Sequence, residues 1–187
     1  KFYKKEEFTS IRNASIKSQM LGIKFLTDKN YQAIRMGRDE VVKINGVNNK
    51  IFDFSFSKFK DDFIDIYIIS KSKFMISTEH GLNEVATSMR VPKLIVNFWG
   101  WHNLQSQNLT PIILPKKIFY TKENRLLSYS EIFDKKLSNI STIENLGTDY
   151  KIIDNNENEI AESIKEIFNY INKINFDYEK YFQEQHN

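Results

Sequence analysis

The chain has 187 residues, of which 41% are hydrophobic and 27% charged, a balance typical of one soluble globular domain with a sizeable core. Its formal net charge of +3 is too small to favour nucleic acid or an anionic membrane as a partner. The absence of cysteine excludes disulfide bonds and thiolate chemistry. The sequence holds no apolar run of about 18 residues, so no transmembrane helix is predicted, and we expect a cytoplasmic protein.

The predicted elements alternate between helices and short apolar strands along the chain. The spacing of apolar residues predicts helices over 15–29, 61–70, 82–89, 130–136 and 154–174. Alternation and short apolar runs predict strands over 31–37, 51–56, 74–76, 94–98 and 150–153, and a hairpin over 115–127 with its turn at 121–124. Asp154 or Asn155 is the predicted cap of the last helix, and residues 38–49 and 100–111 are predicted loops. This order favours an α/β fold, a doubly wound and mainly parallel sheet with flanking helices.

The stretch from Lys73 to Trp99 is the part of the sequence that points to chemistry. It predicts a strand, a polar turn containing Gly81, a helix and a second strand, which together are close to the shortest possible βαβ unit. Ligands of such units lie at the carboxyl ends of the strands, where the start of a helix directs backbone N–H groups at an anion. The predicted anion site is therefore the turn from Ser77 to Asn83.

Five segments and their order carry a resemblance to a known family. They are Arg12-Asn13-Ala14-Ser15-Ile16, Ile34-Arg35-Met36-Gly37, Asp62-Phe63-Ile64-Asp65-Ile66-Tyr67, Phe74-Met75-Ile76-Ser77-Thr78 and Pro92-Lys93-Leu94-Ile95-Val96-Asn97. They resemble a bacterial family of GT-B-type glycosyltransferases associated with surface polysaccharide synthesis, and residues 77–86 resemble the nucleotide-sugar half of that fold. The resemblance covers roughly residues 10–100. It departs from the family at Glu79-His80, which precede Gly81 where the family often has a small residue and glycine.

The resemblance implies a Rossmann-like domain that binds a nucleotide-diphosphate sugar and serves a glycan or lipid-linked acceptor. It implies no metal and no other cofactor, and no nucleic acid is expected as a partner. The residues that it assigns to donor binding are Ser77, Thr78, Glu79, Gly81, Leu82, Asn83, Glu84, Arg12 and Arg35. His80 and Arg35 are the candidates for a catalytic role, and the catalytic residue itself stays unassigned.

Several of these residues also have a purely structural interpretation. Ser77 and Thr78 precede a helix and are typical N-cap residues, and Glu84 complements the helix dipole. Arg35 can form a surface ion pair, and His80 can be an exposed residue of a polar turn. The pattern alone does not choose between these interpretations and a ligand site.

The remaining candidates lie on either side of the central stretch. Asp62 and Asp65 are three residues apart and predict a capping and solvated helix face. His102 lies in a predicted loop, where it is either a base or an exposed spectator. Trp99 and Trp101 either stack on a base or sugar ring or cover the end of the sheet.

Three functions are therefore open. The first is a GT-B glycosyltransferase, the second a nucleotide-sugar 2-epimerase of the same fold, and the third a non-catalytic binding domain. A GT-B enzyme places its site between two domains, and 187 residues supply one. We expect the acceptor half to lie upstream in a longer parent chain, or this chain to be inactive alone.

Overall fold

The computed structural model describes residues 14–37, 43–44, 49–99, 112–140 and 143–173. The α-helices of this part are α1 (Met20–Asp28), α2 (Asp62–Lys71), α3 (Leu82–Ser88), α4 (Tyr129–Asp134) and α5 (Glu157–Lys173). The strands are β1 (Ala33–Arg35), β2 (Ile51–Asp53), β3 (Met75–Ser77), β4 (Lys93–Phe98), β5 (Ile112–Pro115), β6 (Lys117–Tyr120), β7 (Arg125–Leu126) and β8 (Tyr150–Ile153). The short 3₁₀ turns are Ile16–Gln19, Phe54–Phe56, Leu137–Asn139 and Ile143–Leu146.

The described strands form three small sheets. β1 and β2 are a parallel pair, and β3, β4 and β5 are a parallel sheet with β4 in the middle. β6 pairs with β7 and β8 in an antiparallel sheet. The fold is thus mixed α/β with parallel sheets and flanking helices, as predicted. The third sheet is antiparallel, because β6 and β7 are joined by the predicted turn at 121–124 and a hairpin reverses the chain.

Helices cover both faces of the sheet around β4, every residue of which is buried. Leu94 and Val96 pack against one cluster of apolar residues from α1 and α5, which includes Leu26 and Ile164. The other face is covered by a cluster from α2, α3 and the segment after α3, namely Ile69, Ala86 and Val91. The side of β4 that faces α1 and α5 is therefore apolar, as expected for a buried parallel strand, whereas the side that faces α3 also carries the buried polar side chain of Lys93.

Two asparagines join the end of β4 to the start of α5. Asn97 has a φ of 52° at a bulge in the pairing with β5. Its backbone N–H donates to Asn155 Oδ1 at 2.7 Å, and its Oδ1 accepts from the Asn155 N–H at 2.6 Å. Asn155 Nδ2 also donates to the Pro115 carbonyl at 2.8 Å, so one side chain contacts both β4 and β5.

The cap of α5 differs from the prediction. Asn156 Oδ1 accepts from the N–H groups of Asn158 and Glu159, both at 3.0 Å, and Glu159 Oε2 accepts from the Asn156 N–H at 2.9 Å. Asp154 instead forms an ion pair with Lys116 at 2.7 Å, and the Asn155 N–H donates a hydrogen bond to the Asn97 side chain. The predicted cap was wrong by one residue because both alternatives are engaged by distant parts of the chain.

Trp99 lies in the core beneath the antiparallel sheet. Its side chain packs with Ile118, Ile132 and Leu137, and its indole N–H donates to the Ile140 carbonyl at 2.6 Å. Since the residue is 2% exposed, Trp99 covers the end of the sheet and is not available for stacking on a ligand. Trp101 and His102 lie outside the described residues.

Candidate functional site

The predicted βαβ unit is present, and its two strands run side by side in the same direction. Met75 of β3 pairs with Lys93 of β4, and Ser77 pairs with Ile95. α3 connects the two strands and begins five residues after β3 ends. The turn from Thr78 to Gly81 therefore lies at the carboxyl edge of the parallel sheet, the edge at which α/β proteins bind ligands.

Asn83 holds this turn from inside. Its Oδ1 accepts a hydrogen bond from Ser77 Oγ at 2.5 Å, and its Nδ2 donates to the Thr78 carbonyl at 2.9 Å. Ser77 and Asn83 are only 4% and 2% exposed. Their side chains thus support the turn, and a ligand outside it would not reach them while these bonds are in place.

Lys93 supports Asn83 in turn. Its Nζ donates to the Asn83 carbonyl at 3.2 Å and to Thr87 Oγ1 at 2.6 Å, and the residue is fully buried. Burial lowers the pKa of the Lys93 ammonium, and the negative charge of Glu84 opposes that shift. Sequence analysis missed this role. The sequence did contain a signal for it, because Lys93 opens the apolar run that forms β4, a strand buried on both faces.

The backbone N–H groups that open α3 already have acceptors within the turn. The Leu82 N–H donates to His80 Nδ1 at 3.3 Å, the Asn83 N–H to the His80 carbonyl at 3.1 Å, and the Glu84 N–H to the Gly81 carbonyl at 3.1 Å. The bond to the imidazole is the longest and involves an exposed side chain. An anion at this turn would gain the Leu82 N–H by displacing His80.

The described part of the chain gives no conformational or packing reason for a glycine at position 81. Its φ of −59° and ψ of −29° are ordinary right-handed values that any residue adopts. A Cβ at this position would meet no atom of the described residues within 4 Å. Gly81 is also exposed, so neither its conformation nor its packing explains the absence of a side chain. A molecule that approaches this backbone from outside would explain it.

The other candidate residues of the turn, the donor-binding Thr78, Glu79, Leu82 and Glu84 and the catalytic candidate His80, differ in exposure. His80 and Glu84 are exposed, whereas Thr78, Glu79 and Leu82 are half-buried. Partial removal of the imidazole from water lowers the pKa of His80, although the residue as a whole is exposed. His80 is thus largely neutral at pH 7 and can accept a proton through an unprotonated ring nitrogen.

Arg35 lies at the end of β1 and pairs with Asp53, its register partner on β2. Arg35 Nη1 and Asp53 Oδ2 are 3.2 Å apart, and both side chains are less than a tenth exposed. The predicted ion pair is present but buried, not on the surface. Burial alone would raise the pKa of Asp53, yet hydrogen bonds from the Ser55 hydroxyl and the Ile44 N–H, together with Arg35, hold it below its usual value. Arg12 lies outside the described residues.

The acidic residues of α2 have separate roles. Asp61 caps the helix, and its Oδ1 accepts from the Phe63 N–H at 2.8 Å. Asp62 is exposed, as predicted, but Asp65 is buried, so the predicted solvated face was wrong at Asp65. Asp65 points inward because it lies one turn before the buried Ile69 on the same face of α2.

Comparisons with known proteins gave no relative. A scan against protein-family models, a search of curated proteins and a search of solved structures each found no match. Within the described part of the chain, no group of three or more His, Cys, Asp or Glu residues is arranged to hold a metal ion. None of the helices described above has both the length and the apolar surface to cross a bilayer.

Proposed function

We propose that this chain is the nucleotide-sugar-binding domain of a GT-B-type glycosyltransferase. In this proposal the domain binds the nucleotide-diphosphate part of a sugar donor, and the complete enzyme transfers the sugar to a glycan or lipid-linked acceptor. Support comes from the sequence resemblance and from the parallel βαβ unit, whose polar turn lies at the carboxyl edge of the sheet.

The observation that carries the proposal is Gly81. It is exposed at the start of α3, its backbone is unstrained, and a Cβ there would meet no atom in the part of the chain that the structure describes. A diphosphate lying against this backbone would take the space of that Cβ, and would accept hydrogen bonds from backbone N–H groups. Because Ser77 and Asn83 are buried, the proposal places the contacts with the donor at Thr78, His80 and Gly81.

The remaining residues then have distinct roles in the proposed site. The buried Ser77, Asn83 and Lys93 fix the shape of the turn. Glu84, exposed on the first turn of α3, accepts hydrogen bonds from ribose hydroxyl groups. His80 releases the Leu82 N–H to a phosphate oxygen as the donor binds. The positive backbone dipole at this turn then stabilises the leaving diphosphate without a metal ion.

Calorimetric titration with UDP, GDP, CDP and ADP at millimolar concentrations tests the proposal. We expect one of them to bind and to raise the melting temperature. Gly81→Ala should weaken that binding at least about tenfold, because the new methyl group occupies the path of the phosphate. The control is Asn169→Ala, an exposed change on α5 that should leave binding unchanged. The proposal is wrong if none of the four nucleotides binds, or if both variants bind alike.

A non-catalytic binding domain is the second candidate, and one observation favours it. The N–H groups of Leu82, Asn83 and Glu84 are all hydrogen-bonded inside the turn, as expected if no anion ever binds there. This candidate predicts that Gly81→Ala changes no nucleotide affinity. If a nucleotide-diphosphate sugar binds to the complete enzyme, release of the diphosphate with a new glycosidic bond separates transfer from epimerisation.

A further inference from the structure

The outer face of α2 exposes apolar side chains. Phe63, Ile66 and Tyr67 are 72%, 39% and 54% exposed. Their spacing places them on one side of the helix, whereas Asp65 and Ile69 are buried on the other side. α2 thus carries an apolar stripe where a surface helix normally carries polar residues, and such a stripe marks a surface that another body covers.

Lysine side chains lie beside this stripe at the end of α2. The Lys71 ammonium is 5.7 Å from the centre of the exposed Tyr67 ring. Lys73, just beyond the helix, is also exposed. The sequence has no acidic residue from position 66 to position 78, so the charge at this end of the stripe is positive.

The segment before α2 has a similar arrangement. The Lys58 ammonium is 5.1 Å from the centre of the Phe59 ring, and Phe59 is 66% exposed. Exposed acids are present here, since Asp61 and Asp62 stand at the start of α2, and Asp61 Oδ1 accepts from the Phe63 N–H at 2.8 Å. Positive charge therefore predominates toward the end of the helix, where the acids are absent.

The size of the stripe argues against a second copy of the chain as its partner. The exposed parts of its three apolar side chains amount to roughly 300 Å², whereas each partner of a stable protein complex buries about 800 Å². A lipid bilayer needs no such minimum, because each inserted side chain adds its own burial. Anionic headgroups also supply the counter-charge for lysines, whose aliphatic stems pack beside the inserted rings.

We propose that the outer face of α2 docks on the surface of a bilayer that contains anionic phospholipid. Phe63, Ile66 and Tyr67 lie at the boundary between headgroups and acyl chains. Lys71 and Lys73 lie at the phosphates, so the helix rests on the bilayer and does not span it. The small net charge of the whole chain does not oppose this docking, because salt screens charges more than about 10 Å from the surface.

This inference does not rest on the proposed nucleotide site. Three residues, 72–74, join the end of α2 to the start of β3. Lys71 therefore lies near the amino end of β3, whereas the turn at Gly81 follows its carboxyl end. Gly81→Ala should accordingly leave binding to vesicles unchanged, whatever it does to nucleotide binding.

Flotation of the whole chain with vesicles gives the first test. We expect binding to vesicles of phosphatidylcholine mixed with phosphatidylglycerol, and binding at least about tenfold weaker to phosphatidylcholine alone. Changing Phe63→Gln and Tyr67→Gln together should weaken binding to the mixed vesicles at least about tenfold, because neither ring can then insert. The matched control is Phe133→Gln, which removes an aromatic ring of α4 that is 47% exposed and should leave binding unchanged.

Three results of the flotation would overturn the proposal. The first is no binding to the mixed vesicles, and the second is equal binding to the neutral ones. The third is a loss in Phe133→Gln as large as the loss in the double variant, since any exposed ring would then serve.

A fluorescent probe gives the second test, because the sequence has no other cysteine to label. A polarity-sensitive fluorophore is attached to Phe63→Cys and, as the control, to Phe133→Cys. We expect the mixed vesicles to shift the emission of the first to the blue and to leave that of the second unchanged. Equal shifts, or no shift at position 63, would overturn the proposal. A blue shift that rises with protein concentration in the absence of vesicles would show that a second copy covers this face instead, and would overturn it too.

Discussion

Helices α3 and α4 are both short, yet they begin in different ways. α4 begins at a complete capping box, in which Ser128 Oγ accepts from the Glu131 N–H and the Glu131 carboxylate accepts from the Ser128 N–H. Arg125 donates to both carboxylate oxygens of Glu131, at 2.9 and 2.6 Å. α3 begins at Gly81 without any side chain that caps it from the N-cap position.

The difference separates a helix start that is capped by the polar and charged side chains of a capping box from one whose first N–H groups are satisfied by carbonyl groups of the turn and by the exposed His80 imidazole. At α4 the polar groups are satisfied by neighbouring residues, so nothing further is needed there for stability. At α3 the polar residues Ser77, Asn83 and Lys93 lie beneath the turn, and the outer surface carries a glycine and a histidine. An open surface of this kind at the carboxyl edge of a parallel sheet is where a ligand site is expected.

The largest loss of stability is expected from a substitution at Asn83. Asn83→Leu removes the partners of the buried Ser77 hydroxyl and of the Thr78 carbonyl, so the free energy of unfolding should fall by about 2–4 kcal/mol. Urea denaturation followed by circular dichroism measures it. Ser77→Ala breaks only one of the two bonds and should cost about half as much. An Asn83→Leu variant as stable as the original chain would show that the turn does not depend on this residue.

The second largest loss of stability is expected from removing the cap of α4. Ser128→Ala removes the acceptor of the Glu131 N–H and should lower the free energy of unfolding by about 1 kcal/mol. Ser88→Ala is the control, because Ser88 is also an exposed serine but lies at the end of α3 and caps no helix. The same urea measurement applies. Equal losses in the two variants would contradict the role assigned to the capping box.

At Gly81 the expected change in stability is small and of opposite sign. Gly81→Ala should leave the free energy of unfolding unchanged or raise it by up to about 1 kcal/mol, since the backbone is right-handed and the added methyl group meets no atom within residues 14–37, 43–44, 49–99, 112–140 and 143–173. Thermal denaturation without ligand measures it. A clear loss of stability would mean that the protein itself requires the glycine, which would remove the main support for a ligand at this turn.

The smallest effect on stability is expected from lowering the pH. Hydrogen bonds from Arg125, and then from Ser128, lower the pKa of Glu131 from its ordinary 4.5 to about 2. A carboxylate with a lowered pKa in the folded state stabilises the fold above its unfolded pKa, and this contribution is lost as the pH falls from 4.5 toward 2. We expect the melting temperature to fall more between about pH 6 and about pH 3 in the original chain than in Glu131→Gln. Equal falls would show that solvent screens the interaction completely.

Much of the fold could be predicted where the sequence pattern is local. The strand over 150–153 was predicted with its observed bounds, and α5 was predicted over 154–174 against the observed Glu157–Lys173, because its apolar stripe is long. β5 was missed, since its four residues stand between a polar stretch and a predicted hairpin. Its pairing with β4 joins distant parts of the chain, and no local pattern reports such pairing.

Around the candidate site, the strand pair and the polar turn were predicted, but the contacts inside the turn were not. The parallel pair and the polar turn between its strands follow from apolar runs and from Gly81. Whether Ser77 faces a ligand or Asn83 depends on how buried side chains pack, and the sequence gives only their separation of six residues. The structural role of Lys93 was missed for the same reason, because the packing of α3 on β4 determines which groups it can contact.

The paired asparagines at the end of β4 bear on how the protein is made. Asn97 and Asn155 are 58 residues apart in sequence. β4 therefore leaves the ribosome well before Asn155, which accepts the hydrogen bond from the Asn97 N–H. During that interval the central strand lacks both this partner and the helix that covers one of its faces. We therefore expect the parallel sheet to become protected from proteases during synthesis only after α5 has emerged.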